Sequence, residues 1–302
     1  MIKIVFLGTT SGVPTSKRNL PAIFLMYKDE RMLFDCGEGT QRQLMAKNLK
    51  FMKIGRIFIS HWHADHFAGL LGLVQTMSLE NRNEPLCIYG PTRSKEFVEQ
   101  LLNIGYFERS FEVKVTELDE GDVVDCGEYD IIPFRVEHRV PALGFVFNEK
   151  EKLSANMKKA AKFGLATSPL IGELKEGKTI KHKGKTIMPE DILEAHKGRK
   201  IAYTGDTKYT ENIVKFAKNA DVLISDSTFS SDFEERAGDF KHSTSDQAAQ
   251  IAKKAGVKKL VLTHISRRYQ EKSNGEKNLL DDATNIFKNT ILAKDFLELV
   301  VK

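Results

Sequence analysis

Ile57-Phe58-Ile59-Ser60-His61-Trp62-His63-Ala64-Asp65-His66 is the stretch that decides the fold: an apolar run delivers three imidazoles and a carboxylate within one hexapeptide. The run reads as a buried strand, and Phe67, Leu70, Leu71, Val74 and Met77 beyond it keep a helical spacing. A strand feeding a tight turn can present His61 and His63 to one cation, while Asp65 and His66, a step further round, reach a second. A lone histidine is more often a hydrogen-bonded core or surface residue than a ligand. Here three of the chain's eight histidines crowd beside a carboxylate at one strand end, which argues for metal chemistry.

A hexapeptide cannot complete two metal sites, so further ligands are needed at similar places. His138 closes the strand-like run Ile131 to Glu137. Asp206 stands where Ile201-Ala202-Tyr203-Thr204 breaks at Gly205, and His264 follows Leu260-Val261-Leu262-Thr263. Singly, each is more often structural than ligating. Their common position matters more, because open α/β architectures gather ligands at the carboxyl ends of strands.

The remaining strand candidates are Lys3 to Gly8, Ala22 to Tyr27, Arg31 to Asp35, Leu86 to Tyr89, Phe111 to Leu118, Gly144 to Phe147, Asp221 to Ser225 and Phe296 to Val301, with helical stretches between them. Thr244 and Gln247 form a candidate capping box for an alanine-rich helix ending near Gly256. The pattern predicts an α/β protein with two sheets covered by helices, and strand-rich halves on either side of residue 110 hint at duplication. With 302 residues, 41% of them hydrophobic, the chain is long enough for one large α/β domain or two modest ones and can build a sizeable core.

Three widely spaced cysteines, Cys36, Cys87 and Cys126, give neither a disulfide framework nor a cysteine-rich zinc cluster, so a cytoplasmic location is expected. The apolar start Ile4-Val5-Phe6-Leu7 is too short for a signal peptide, and no run of about eighteen apolar residues would span a bilayer. Charge is uneven. Residues 150–185 hold ten lysines against three glutamates, a net of +7 in a chain whose total is +5, leaving −2 elsewhere. Weak apolar periodicity there predicts a protruding, mobile arm rather than core. A charge run is usually a solvated face, but a basic arm on a slightly acidic body also suits a polyanion clamp, because lysine contacts to phosphates release counterions.

The hexapeptide with His138, Asp206 and His264 in this order resembles the metallo-β-lactamase superfamily. More narrowly the chain resembles the ribonuclease Z family of tRNA 3′-processing endonucleases, through Phe34-Asp35-Cys36-Gly37-Glu38-Gly39-Thr40-Gln41-Arg42-Gln43, Lys241-His242-Ser243-Thr244 and the basic insertion. The resemblance implies a single domain over residues 1–302, an αββα sandwich of two mixed β-sheets flanked by helices, with residues 148–196 an inserted tRNA-binding arm. It implies two Zn2+ per chain: His61, His63 and His138 on one, Asp65, His66 and His264 on the other, and Asp206 bridging. Mn2+ or Fe2+ also accepts such a donor set. Asp35 would support the metal-bearing loops, Asp65 would also take the proton from the attacking water, and His242 would sit near the leaving oxygen.

Two departures from the family stand out. The glycine- and proline-rich arm sequence is replaced by Gly164-Leu165-Ala166-Thr167-Ser168-Pro169-Leu170-Ile171-Gly172, and in Pro14-Thr15-Ser16-Lys17-Arg18-Asn19 a serine takes the lysine position with Lys17 following it. Lys17, Arg18, Asn19, Lys158, Lys159 and Lys162 are the candidate substrate contacts. The expected partners are precursor tRNA and a second copy of the chain in a homodimer, with no membrane. Water attack at phosphorus would leave a tRNA 3′-hydroxyl and a 5′-phosphorylated trailer. The rival enzyme is another dinuclear-zinc hydrolase acting on small phosphodiesters or other esters, which the metal motif alone does not separate. The rival of another class is an RNA-binding module that has lost catalysis, disfavoured because all seven ligands are present.

Overall fold

Along Ile57-Phe58-Ile59 successive side chains leave the backbone on opposite faces. Phe58 enters the layer between two sheets, against Phe6, Phe34, Phe145 and Phe147, whereas Ile57 and Ile59 pack outward beneath helices. Burial on both faces explains why this stretch reads as continuously apolar.

The structure, a computed structural model, describes residues 1–271 and 274–302. Its strands are β1 (Ile2–Gly8), β2 (Ala22–Tyr27), β3 (Glu30–Phe34), β4 (Ile54–Phe58), β5 (Leu86–Gly90), β6 (Val113–Glu117), β7 (Val124–Asp125), β8 (Tyr129–Arg135), β9 (Leu143–Glu149), β10 (Lys152–Ala155), β11 (Ile180–His182), β12 (Lys185–Ile187), β13 (Leu193–His196), β14 (Lys200–Tyr203), β15 (Val222–Asp226), β16 (Leu260–Thr263), β17 (Thr290–Leu292) and β18 (Glu298–Val301). One sheet has the order β18-β1-β2-β3-β4-β5-β6 and the other β17-β16-β15-β14-β9-β8-β7. Both are mixed in the same way. β18 through β3 pair antiparallel and β3 through β6 parallel, just as β7 through β14 pair antiparallel and β14 through β17 parallel. The division between halves falls between β6 and β7, later than residue 110, and β18 returns to complete the first sheet.

The sheets face each other across an aromatic layer in which Phe34 and Phe58 stack at 5.4 Å and Phe58 and Tyr89 at 4.8 Å. Helices Thr40–Ala46, Leu70–Leu79 and Ser94–Leu102 cover the first sheet through Leu44, Leu73, Val74, Met77 and Val98. Helices Glu211–Ala217, Ser245–Ala255 and Gly275–Ile286 cover the second through Ile213, Ala248, Ala252 and Ala283. The layers are therefore helix, sheet, sheet, helix. At the start of Ser245–Ala255 the Thr244 N–H donates to Gln247 Oε1 at 3.2 Å, and Gly256 ends the helix at φ 64°. Among the described residues no helix is long and apolar enough to cross a membrane.

The basic segment departs from its expected lack of a core. Between β9 and β14, two ribbons (β10 with β13, β11 with β12) and short helices enclose Ala160, Leu165, Leu174, Ile180, Ile187, Ile192 and Leu193, none more than 6% exposed. Elements of three to six residues are too short to display a period, so this small core was invisible in the sequence. Its position follows from strand direction. β9 begins beside Ala142, which bridges to His61, and runs seven residues away, so the arm leaves the sandwich about 23 Å from the histidines. At its base Arg199 grips Glu149 with two nitrogens, one at 2.8 Å, and donates to the Val301 carbonyl at 3.1 Å.

Candidate metal centre

The loops that follow β4, β8, β14, β15 and β16 meet at one end of the sandwich, because these strands deliver their carboxyl ends there. Gly205 makes the turn from β14 to Asp206 at φ 59°, where an added Cβ would lie 2.8 Å from the Ser60 Cβ. His264 leaves β16 with φ 62° and Asp35 leaves β3 with φ 59°, a left-handed backbone that turns each side chain out of the strand direction.

Two donor groups result. His63 Nδ1 lies 3.0 Å from His61 Nε2 and 3.1 Å from His138 Nε2, so three imidazole nitrogens point at one place. Beside them, Asp65 Oδ2 lies 3.6 Å from His66 Nε2 and 3.5 Å from His264 Nε2. Asp206 stands between the groups: Oδ2 is 3.7 Å from His61 Nε2 and 3.4 Å from His66 Nε2, and Oδ1 is 3.3 Å from His264 Nε2. The seven ligand candidates are thus brought together, with Asp206 where a bridging carboxylate would be.

Among the seven donors, Asp65, His66, His138 and His264 are held by partners outside the cluster. His66 donates its Nδ1–H to Asp35 Oδ2 at 2.8 Å, leaving Nε2 for the cavity, and Asp35 also accepts from the Ser60 N–H at 2.7 Å and the Tyr203 hydroxyl at 2.6 Å. His138 Nδ1 donates to the Lys241 carbonyl at 3.1 Å, and His264 Nδ1 meets Thr228 Oγ1 at 2.8 Å. Such partners fix the tautomer and aim of metal-binding imidazoles. The Gly12 N–H donates to Asp65 Oδ2 at 2.9 Å. The Asp35 motif braces the hexapeptide as well: the Cys36 N–H donates to the His66 carbonyl at 2.8 Å, and a Cβ on Gly37 would meet the Asp65 carbonyl at 2.3 Å.

Electrostatics agree with a cation site. Burial raises the Asp206 carboxyl, but His264 and His66 outweigh it and hold the group well below the carboxylate range. Asp65 is likewise lowered, His66 and His264 overcoming burial. Burial, reinforced by neighbouring imidazoles, keeps His61 well below the usual histidine value, and burial also lowers His63 and His138. His66 is pulled down by burial and lifted further by Asp206, Asp35 and Asp65. His242 lines the same cavity, its Nδ1 2.7 Å from Asp226 Oδ2, and although burial opposes it, Asp226 raises its imidazolium to about 9.

A metal fits these residues. His66 Nε2, Asp206 Oδ1 and His264 Nε2 are buried atoms without a hydrogen-bond partner, an arrangement that costs free energy unless something else binds them. Asp206 and His264 line a cavity of about 290 Å3 together with Asp65, His63, His138 and Arg139, and His66 Nε2 lies behind it, 3.4 Å from Asp206 Oδ2. Larger clefts exist, including one of about 530 Å3 along Lys17, Tyr269 and Lys294, so the donor set rather than size marks the centre.

The substrate candidates fare differently. Arg18 is 3% exposed and is an internal strut: it donates to Thr9 Oγ1 and the Ala293 carbonyl, both at 2.6 Å, and pairs with Glu276 at 3.0 Å. Asn19 is tied to the Glu38 carbonyl at 2.8 Å, while Lys17 remains exposed. Lys158 and Lys162 are exposed on the arm, and Lys159 is paired with Glu194 at 3.0 Å. Asp226, absent from the sequence candidates, is fully buried and holds both His242 and Thr228. Its signal was present: Asp226 ends an apolar strand just as Asp206 and His264 follow theirs.

Two helix-flanked mixed sheets carrying this His/Asp cluster at their common edge define a hydrolase of the metallo-β-lactamase class, with a candidate dinuclear metal site. Residues 2–167 belong with the family described as Anti-Pycsar protein Apyc1, and residues 191–265 match the Beta-lactamase superfamily domain. The chain is 42% identical to ribonuclease Z of Archaeoglobus fulgidus, over 100% of this chain and 98% of that protein. It is 43% identical to ribonuclease Z of Thermococcus gammatolerans, over 100% and 96%. The crystal structure of human tRNase Z, short form, superposes with TM-score 0.72 at 30% identity, covering 99% of each chain. The metallo-beta-lactamase fold protein YhfI of Bacillus subtilis, at 21% identity and TM-score 0.71, shares the fold. The chain belongs to the ribonuclease Z family and is a metal-dependent endoribonuclease.

Proposed function

We propose that this chain removes the 3′ trailer from precursor tRNA, leaving a 3′-hydroxyl on the tRNA and a 5′-phosphate on the trailer. The observation that carries this reading is Asp206 set between the His61–His63–His138 and Asp65–His66–His264 groups, with His242 beside them on Asp226. Two ions, zinc in our reading because the donors are imidazole and carboxylate, would supply Lewis acidity that activates water and offsets charge on the entering and leaving oxygens.

The chain's own groups then divide the proton work. Asp65, kept ionised by His66 and His264 and aimed by the Gly12 N–H, accepts the proton of the water whose oxygen attacks phosphorus. The P–O3′ bond breaks in line with that attack. His242, protonated at neutral pH because Asp226 holds it, gives its proton to the departing O3′.

Substrate size is the arm's contribution in this reading. The segment of residues 148–196 would hold folded tRNA by its phosphates, through exposed lysines such as Lys158 and Lys162, reading shape more than sequence. Lys159 contributes less because Glu194 already neutralises it. The arm's root lies about 23 Å from the histidines. That separation supports a homodimer in which one copy's arm grips a tRNA cut by the other. Three free cysteines support a cytoplasmic setting.

The test is cleavage of 3′-extended precursor tRNA by the metal-loaded protein, with bis(p-nitrophenyl) phosphate as the small-ester control. Asp65→Ala should abolish precursor cleavage. A wild-type protein that turns over the small diester but leaves the precursor intact would favour a small-ester hydrolase instead.

A further inference from the structure

A single exposed phenylalanine ordinarily needs no explanation. Phe240 is different because of where it stands. It is 39% exposed on the wall of the histidine cavity, with the Arg139 guanidinium 4.3 Å and the Arg236 guanidinium 5.3 Å from its ring centre. The ring is fixed to the metal centre by short connections. Arg139 follows His138 and donates to the Asp239 carbonyl at 2.9 Å, while His138 Nδ1 donates to the carbonyl of Lys241, the residue between Phe240 and His242. Lys241 adopts φ 57°, which ends the helix Glu234–Phe240 and swings the chain so that Phe240 and His242 line the same cavity.

A guanidinium laid on an aromatic ring presents its own plane to an unpaired nucleobase, and Arg139, exposed on the cavity wall with Phe240 beneath it, also attracts the adjoining phosphates. We infer that Phe240 and Arg139, with Arg236 behind them, form a stacking subsite for the base of the last nucleotide retained on the product. The assignment to that nucleotide rests on the proposed function, in which His242 protonates its departing O3′; Phe240 lies two residues away on the same turn. Stacking is tolerant of base identity, so the subsite reads the presence of an unpaired base rather than its letter.

The experiment is single-turnover cleavage, by the metal-loaded protein, of precursor tRNA that is intact or abasic at the last retained nucleotide, with precursor abasic at the first trailer nucleotide as the control. Wild type should lose roughly ten- to hundredfold on base removal. Phe240→Ala should lose a similar factor on the intact substrate and cut both substrates equally fast, and Phe240→Trp should regain the preference for the intact one. The inference is overturned if wild type cuts both equally, if Phe240→Ala keeps the wild-type preference, or if only an abasic first trailer nucleotide is sensed. Failure of wild type to cut the intact precursor would instead bring down the underlying reading, and the subsite with it.

Discussion

His242 donates its Nδ1–H to Asp226 across 2.7 Å, and Asp226 is fully buried at the end of β15. The pair makes His242 an acid at neutral pH, because Asp226 overcomes the effect of burial and raises the imidazolium to about 9. The proton is therefore held below that value and lost as pH rises through it. Precursor cleavage should fall on the alkaline side of pH about 9, and Asp226→Asn should move that limb to lower pH while reducing the rate at pH 7 roughly tenfold to hundredfold. An unchanged pH–rate profile in Asp226→Asn would remove His242 from proton donation.

Asp35 accepts from His66, Ser60 and Tyr203, so it reaches the donor cluster directly through His66 and, by way of the Ser60 hydroxyl, through His61. Its carboxylate fixes which nitrogen of His66 faces inward. Asp35→Asn keeps the shape and removes that instruction, so metal affinity should drop about ten- to hundredfold in chelator competition. Unaltered affinity would show that His66 needs no such support.

Because Asn148 and Lys200 are directly paired across β9 and β14, the arm's two ends are neighbours. Replacing residues 151–197 with a short hairpin turn should leave the sandwich folded. The variant should cleave bis(p-nitrophenyl) phosphate within about twofold of wild type, while its KM for precursor tRNA rises by an order of magnitude or more as phosphate contacts are lost. Equal loss of both activities would make the arm a structural element.

Glu149 tests the arm's root. Its hydrogen bonds with Arg199 outweigh burial and hold its carboxyl down at about 2. A folded value below the unfolded one stabilises the protein above the unfolded pKa, near 4.3, and that contribution fades as pH falls toward about 2. Glu149→Gln should therefore cost about 2 kcal/mol at pH 7 and progressively less toward pH 2, measured by denaturant titration. A cost independent of pH would assign the effect to packing.

Much of this centre was legible because strand ends carry their chemistry in plain order. Apolar runs before His61, Asp206 and His264 placed each ligand at a carboxyl end, and strand runs separated by helical stretches fitted two helix-covered sheets. What escaped depends on partners far along the chain. Arg18 looks like a loop cation, yet its charge is absorbed by Glu276 inside the fold. The arm's core is assembled from pieces too short to show a period, and Lys159 reads as free until Glu194 folds against it. Asp226 went unnamed because its role is to hold His242, and that pairing exists only once β15 and the turn at Lys241 meet.

The central claim is that the Asp206-centred cluster directs water, rather than the substrate's own 2′-hydroxyl, to the scissile phosphorus. It is tested most directly by giving the metal-loaded protein a precursor tRNA with a 2′-deoxynucleotide at the last retained position and identifying both product ends by mass spectrometry. Cleavage at the normal site, yielding a 3′-hydroxyl and a 5′-phosphate and abolished by chelation, is the predicted result. Failure to cut the deoxy substrate, or a 2′,3′-cyclic phosphate from its ribose counterpart, would contradict it.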